Sequence, residues 1–271
     1  MSSHPVLRGA KIVGAIAAAM VGLLIASSPV QSSAHTGPRP QTARIGVYEG
    51  AADIGGAGDV DGDGGFDLVL GADHSDPLGR EGAGAVFVAR SASGAVDLRS
   101  GGFEGFRIAG AAAGDGLSAA CVIGDVNRDG FDDLLMGAEG ADTSNGPDSG
   151  AAYVVFGSAE TADVDIADLE DGRGFTITGA NEADGAGADV ACPGDVNDDG
   201  RPDLVVAAPG GGATYVVFGG DGTQAVDLRL FDLTAHGTSG YRISTPSPDP
   251  SGRTQSPRPA TRAATGVRTS S

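Results

Sequence analysis

An acidic segment of fifteen residues occurs three times in this 271-residue chain. The copies are Gly58–Ala72, Gly124–Ala138 and Gly194–Ala208. Their first aspartates, Asp59, Asp125 and Asp195, lie 66 and 70 residues apart. A period of this length indicates a repeat architecture, in which one unit alone cannot bury its apolar surface and must stack on its neighbours.

Short apolar runs recur in the same order around each acidic segment. The runs are Ala119–Ile123 and Ala188–Cys192 before a segment, then Gly84–Val88, Ala152–Gly157 and Thr214–Gly219, and further on Gly105–Ile108, Gly174–Ile177 and Gly240–Ile243. Runs rich in β-branched and aromatic residues and bounded by glycine favour strands. Each period therefore holds about four short strands and no helix, which is the plan of a β-propeller blade. A β-sandwich is the alternative architecture, but it does not account for the repetition.

The acidic segments have the spacing of calcium ligands. Acids or amides occupy positions 1, 3, 5 and 9, glycine occupies position 6, and position 7 can supply its backbone carbonyl. Ca²⁺ takes roughly six to eight oxygen ligands of these kinds. The predicted ligands of three Ca²⁺ sites are Asp59, Asp61, Asp63, Gly65 and Asp67; Asp125, Asn127, Asp129, Phe131 and Asp133; and Asp195, Asn197, Asp199, Arg201 and Asp203.

Other interpretations of the acidic segments fit less well. An EF-hand needs a glutamate at position 12 and a following helix, whereas position 12 here is Leu70, Met136 or Val206. Mg²⁺ prefers to keep several waters. Hairpin turns rich in Asp and Gly need no metal, but they do not explain three copies of one ligand spacing. Asp132 and Asp198 fall off the ligand positions and are predicted to be solvated.

These features resemble the FG-GAP repeats of integrin α-chain propellers and their bacterial relatives. The Phe-Gly pair occurs as Phe156-Gly157 and Phe218-Gly219, and the Gly-Ala-Pro-like triplet as Gly71–Asp73, Gly137–Glu139 and Ala207–Pro209. The resemblance covers residues 44–243. It implies an all-β propeller with calcium in the hairpin loops of one face and recognition of a protein or carbohydrate ligand by the loops of the other. Propellers of this kind have seven blades, so the repeats here are incomplete relative to a closed ring.

The repeats set the domain organisation. Residues 44–244 are assigned to the propeller, with repeats at about 44–104, 105–173 and 174–239 and the start of a fourth at 240–244. Residues 245–271 are rich in Ser, Pro and Arg. This composition is typical of a disordered tail, and a frameshifted fourth repeat is the other interpretation.

The N-terminus has the pattern of a secretory signal over residues 1–34. Arg8 and Lys11 precede the apolar run Ile12–Ala26, which is short for a membrane span, and small residues follow before His35. An uncleaved anchor is the alternative. Residues 35–43 are predicted to be a flexible lead-in, and the protein is predicted to be secreted without membrane insertion after signal cleavage.

The charge of the chain argues against two classes of binding partner. Beyond residue 34 the chain carries 36 acidic and 15 basic residues, which argues against nucleic acid and anionic membranes as partners.

Cys121 and Cys192 each lie in an apolar stretch before an acidic segment. Two small buried thiols are favoured over a disulfide, although the sequence cannot place their Cα atoms.

No sequence motif indicates catalysis. The four histidines, His4, His35, His74 and His236, lie outside any metal or nucleophile motif, and no serine-hydrolase elbow or phosphate-binding loop occurs. The prediction is a secreted adhesion or recognition module that is not an enzyme. The alternatives are the non-catalytic propeller portion of an exported phospholipase-like hydrolase, or a degenerate truncated fragment. Open blade edges would also allow self-association.

Overall fold

The computed structural model describes residues 44–45, 52–90, 95–96, 98, 103–169, 172–220, 225–231 and 239–244. The predicted signal segment, the lead-in and the tail lie outside these residues. The described residues form sixteen strands, numbered β1–β16 in chain order, and no α-helix. No helix among them is long and apolar enough to cross a membrane.

Three sheets, each built on four antiparallel strands that form one blade, follow one another along the chain. Blade 1 contains β2 (Ala52–Gly58), β3 (Asp67–Ala72), β4 (Ala85–Ala89) and β6 (Gly105–Ala109). Blade 2 contains β7 (Ala120–Gly124), β8 (Asp133–Ala138), β9 (Ala151–Val155) and β11 (Gly174–Thr178). Blade 3 contains β12 (Asp189–Gly194), β13 (Asp203–Ala208), β14 (Ala213–Val217) and β16 (Gly240–Ser244). The predicted all-β fold of propeller-type blades, not closed into a ring, is confirmed.

The fourth strand of each blade pairs with the third strand, which comes before it in the chain. Strands β6, β11 and β16 pair antiparallel with β4, β9 and β14. The blades therefore end one strand later than the boundaries 44–104, 105–173 and 174–239. Residues 240–244, taken from the sequence as the start of a fourth repeat, are the last strand of blade 3. A period fixes the length of a repeat, whereas strand pairing decides where the sheet begins.

Two-residue parallel strands connect neighbouring blades. Strand β10 (Val164–Asp165) extends the sheet of blade 1 beside β6, and β15 (Val226–Asp227) extends that of blade 2 beside β11. Strand β5 (Ala95–Val96) pairs in the same way with β1 (Arg44–Ile45). In chain order, β10 comes between the third and fourth strands of blade 2, and β15 comes between those of blade 3. Blades 2 and 3 therefore each contribute one short strand to the sheet of the blade before them.

The apolar side chains form two cores, one at each contact between blades. The strands of blade 2 contribute to both by simple alternation: Leu134 and Met136 of β8 enter the core shared with blade 1, and Leu135 enters the core shared with blade 3. Strand β9 alternates in the same way, with Tyr153 in the first core and Val154 in the second. A period of two places successive side chains on opposite faces of the sheet, so blade 2 is apolar on both sides.

Cys121 of β7 and Cys192 of β12 form a disulfide, with their Cα atoms 6.1 Å apart. The expectation of two separate thiols was therefore wrong. The cysteines are 71 residues apart, which is about one repeat, and stacking brings residues one repeat apart onto neighbouring inner strands. The disulfide links blade 2 covalently to blade 3.

Candidate calcium-binding loops

The three acidic segments form equivalent loops at one end of the blades. Each connects the first strand of its blade to the second: loop 1 is residues 59–66, loop 2 is residues 125–132 and loop 3 is residues 195–202. The register shifts just before each loop, between Ile54 and Gly56, between Val122 and Gly124, and between Ala191 and Gly194. A bulge at this point bends the strand as the loop begins.

Position 6 of each loop is the glycine that makes the turn. Gly64, Gly130 and Gly200 have positive φ angles of 83°, 96° and 85°, a conformation that other residues adopt only with strain. Their amides donate to the carboxylate at position 1 at 3.1, 2.9 and 2.7 Å. The first aspartate is thus held over the turn in all three loops.

Positions 3, 5 and 7 repeat a second set of hydrogen bonds. The amide of position 5 donates to the side-chain oxygen of position 3 at 3.0 Å in loops 1 and 2 and at 3.1 Å in loop 3. The amide of position 7 donates to the carboxylate of position 5; its donors are Gly65, Phe131 and Arg201. The predicted ligand residues at positions 1 to 7 therefore gather around one turn, with their order preserved.

The ninth-position aspartates, Asp67, Asp133 and Asp203, are fully buried. In each, Oδ2 accepts the amide of the valine at position 2. Oδ1 of Asp133 also accepts the amide of Gly157, and Oδ1 of Asp203 that of Gly219. The glycine of the Phe-Gly pair therefore ties the third strand to the loop, a role that sequence reasoning did not assign.

Burial has an electrostatic consequence for the ninth position in loop 2. Loss of water raises the pKa of the Asp133 carboxyl to about 7, although the amides of Gly157 and Val126 oppose the shift. A bound cation favours the charged form of a neighbouring carboxyl. A carboxylate set of this kind is chemically suited to a divalent cation.

Loop 1 presents the closest carboxylates. Asp59, Asp61 and Asp67 each offer an oxygen, and these oxygens lie within 4.8 Å of one another, the one such acidic cluster among the described residues. Oδ1 of Asp59 is buried and has no hydrogen-bond partner within the described part of the chain. Carboxylate oxygens without a donor are the ligands that Ca²⁺ accepts, so the residues present fit this ion.

Two residues of the loop region behave differently from their prediction. Asp132, expected to be solvated, is half-buried, and its Oδ2 accepts the amide of Asp59 at 2.9 Å, from loop 1 of the preceding blade. Asp198 is exposed, as expected. Arg90 was not predicted to take part, yet it donates to Asp61 in loop 1. An alignment of the three repeats would have identified Arg90, because it occupies the position at which the other two repeats have Phe.

A cavity of about 460 Å³ lies at the end of the blades opposite the acidic loops. Its lining includes Asp73, His74, Asp115 and Glu139. Nε2 of His74 is 3.7 Å from Oδ2 of Asp73, and Oδ1 of Asp73 is buried without a hydrogen-bond partner among the described residues. Burial raises the pKa of Asp115. This end of the molecule therefore carries a second acidic surface, formed by the loops between the other strands.

The loops and their strands match a known repeat. A family model of the FG-GAP repeat matches residues 118–155 and 186–228. These two stretches are FG-GAP repeats. Both matches begin just before the inner strand of a blade and extend through its third strand, so the family's repeat has the phase of the structural blade.

One curated relative shares the same repeats over a longer stretch. Integrin alpha-3 of Cricetulus griseus is 31% identical over 169 residues, which cover 59% of this chain and 15% of the relative. The chain thus spans only a small part of the length of the relative it matches. The likeness supports an integrin α-type propeller and carries no further activity with it.

Proposed function

We propose that this FG-GAP protein is a secreted, non-catalytic recognition module whose acidic loops bind calcium. The main support is that all three loops fold around their acidic side chains with one set of hydrogen bonds. The same turn glycine, the same donor at position 5 and the same buried aspartate recur in blades whose other residues differ. An accidental Asp-rich turn needs no such repetition.

Electrostatics favour a cation in these loops. Each loop gathers at least three carboxylates within nine residues, and like charges at this spacing raise the free energy of the folded loop. Ca²⁺ accepts carboxylate, amide and backbone oxygens in an irregular shell. The proposed ligands are those predicted from the sequence, and among them the buried Oδ1 of Asp59 has no protein donor within the described residues. Calcium bound to the folded chain alone would stabilise the blades by linkage.

The proposed recognition surface is the end opposite the acidic loops. The cavity there is lined by acidic and glycine-rich loops rather than by the turns that carry the predicted metal ligands. Adhesion to a protein or carbohydrate ligand through this surface would leave the calcium loops a structural role.

Thermal unfolding of the full chain tests the calcium part of the proposal. Excess Ca²⁺ should raise the melting temperature, and a chelator should lower it again. For a site with Kd of about 10⁻⁴ M, free Ca²⁺ at about 100 times Kd adds about 2.7 kcal/mol of stability. Mg²⁺ at the same concentration is the control for ionic strength.

Matched variants identify the loops responsible. Asp125→Asn and Asp195→Asn each remove the first ligand charge of one loop, while the exposed Asp198→Asn removes a charge from loop 3 outside the ligand positions. The first two should reduce the Ca²⁺-dependent rise in melting temperature, and the third should leave it unchanged. A melting curve that is identical with chelator and with Ca²⁺ contradicts calcium binding.

A second copy of the chain is the partner that the blade stacking favours. Val60 and Val126 are 1% and 8% exposed beneath the following blade, whereas the equivalent Val196 of blade 3 is 48% exposed. The face of blade 3 that carries Val196 repeats a face that is buried in blades 1 and 2, so a second copy of the chain seated there would continue the stack. Sedimentation velocity over a range of concentrations should show association, and a monomer throughout would rule it out.

A further inference from the structure

Arg90 occupies the position at which the other two repeats of this chain have phenylalanine, Phe156 and Phe218. The amide of Arg90, one residue beyond β4, donates to the carbonyl of Glu104 at 2.8 Å. The amides of Phe156 and Phe218, one residue beyond β9 and β14, donate to the corresponding strand at 2.9 Å. The three residues are therefore structurally equivalent, and only blade 1 places a cation there.

The guanidinium of Arg90 reaches into loop 1. Its Nε donates to Oδ2 of Asp61, and its Nη2 lies 3.7 Å from Oδ2 of Asp63. The Asp61 side chain is only 1% exposed, and its other oxygen accepts the amide of Asp63 at 3.0 Å. Both oxygens of this predicted ligand are thus engaged by protein donors.

Loops 2 and 3 are built differently at the same point. Position 3 is Asn127 or Asn197, and the side-chain amide of each donates to the position 5 carboxylate at 2.8 or 2.9 Å. No arginine is needed there, because the asparagine carries no charge. Loop 1 has four aspartates at positions 1, 3, 5 and 9, whereas loops 2 and 3 have three each; Arg128 and Arg201 lie within loops 2 and 3 but do not replace an aspartate at these positions. The four aspartates of loop 1 together with Arg90 carry a formal charge of −3, the same as the three aspartates at these positions in loop 2 or loop 3.

We infer that Arg90 is a built-in cation of loop 1, which competes with Ca²⁺ for the oxygens of Asp61 and Asp63. The inference rests on the proposed calcium function of the loops. Loop 1 is held by its own arginine when calcium is scarce, and loops 2 and 3 are the calcium-dependent pair. A guanidinium is always protonated and donates in a fixed planar geometry, so it fills this place at any physiological pH. The chain then contains two kinds of acidic loop with one backbone framework.

Counting bound calcium tests the inference directly. The full chain is dialysed to equilibrium against radiolabelled Ca²⁺ over a range of free concentrations, and bound ions per chain are measured. The wild type should bind two ions before any third. Arg90→Phe, which installs the residue of the other repeats, should bind a third ion in the same concentration range as the first two. Arg90→Lys keeps the charge and should bind two.

Two further variants keep the test decisive. Arg107→Phe removes a surface arginine that pairs with Asp163 away from the loops, and it should leave the count at two. If Arg90→Phe does not fold, as judged by circular dichroism, Arg90→Gln removes the charge with less change in polarity and should also gain the third ion.

The outcomes separate this inference from the proposed function. Three ions of equal affinity in the wild type, or two in both charge-removing variants, overturn the role of Arg90 and leave calcium binding intact. No ions in the wild type but one in Arg90→Phe would support the role of Arg90 and reject calcium binding by loops 2 and 3. No ions in any variant would reject both.

Discussion

All six residues of β8 in blade 2 are buried, whereas Val205 and Ala207 of the equivalent strand β13 in blade 3 are only half-buried. The inner strand shows the same difference, since β12 of blade 3 alternates between exposed and half-buried residues. The two blades share their strand plan and their loop framework. What differs is the neighbour: blade 2 lies between two blades, and the described part of the chain covers blade 3 on one face.

The comparison shows that burial in a stacked repeat belongs to the contact between units. Val126 and Val196 occupy the same position of their loops, and the following blade covers Val126 alone. Stability in such an array is approximately the sum of unit and interface contributions. Blade 3 should therefore be less stable than blade 2, apart from what the disulfide between them contributes.

The disulfide between Cys121 and Cys192 should have the largest effect on this comparison. Replacing both cysteines with serine removes the covalent link between blades 2 and 3, and a disulfide typically contributes about 2–4 kcal/mol of stability. Hydrogen exchange should show blade 3 losing protection while blade 1, which has no cysteine, changes little. Reductant should affect the wild type and leave the variant unchanged. Equal loss of protection in blades 1 and 3 would mean that the blades unfold as one unit.

The two equivalent valines measure the interface itself. Val126→Ala deletes side-chain volume from the core between blades 2 and 3 and should cost about 2 kcal/mol of unfolding free energy. Val196→Ala makes the same chemical change on the open face and should stay within about 0.5 kcal/mol. Chemical denaturation at low protein concentration, where self-association is absent, gives both values. Similar losses for the two variants would show that something covers the face of blade 3.

A smaller, pH-dependent effect is expected where blade 1 meets β10. The guanidinium of Arg80 donates to both oxygens of Asp165 at 2.7 and 2.9 Å and to the carbonyl of Gly110 at 2.8 Å. The hydrogen bond from Arg80 holds the pKa of Asp165 below its usual range. A depressed carboxyl pKa adds stability above the unfolded-state value of about 3.9, and that stability is lost as the pH falls through the folded-state value.

Arg80→Met should therefore destabilise the protein at neutral pH, and its difference from the wild type should shrink as the pH falls below about 4. Arg229→Met is the matched control. Arg229 likewise lowers the pKa of Asp227, but it lies two residues away on the same segment, and within the described part of the chain its side-chain hydrogen bonds go to Asp227. Its pH window should be the same and its cost smaller. A difference for Arg80→Met that stays constant down to low pH would place its contribution in packing instead of charge.

Sequence alone determined the local structure and the chemistry of the loops. Strands and tight turns depend on residues that are close together in the sequence. The alternating apolar runs and the turn glycines therefore predict the positions of strands such as β8 and β13 and of the turns at Gly64, Gly130 and Gly200. The acids at positions 1, 3, 5 and 9 are local in the same sense. The identity of any bound ion stays a prediction, since the ligand spacing indicates calcium through its oxygen chemistry alone.

The tertiary structure decided whatever depends on residues far apart in the chain. Strand pairing assigned β16 to blade 3 and placed Arg90 beside Asp61 within blade 1, and stacking brought Cys121 beside Cys192 and Asp132 against loop 1. Each of these contacts joins segments that are separated by tens of residues or by a whole repeat. A periodic sequence shows that the units are alike. Which side chains meet between two units is determined only by the packing of one unit on the next. That packing depends on where each sheet begins in the repeat and on which of its faces meets the neighbouring sheet.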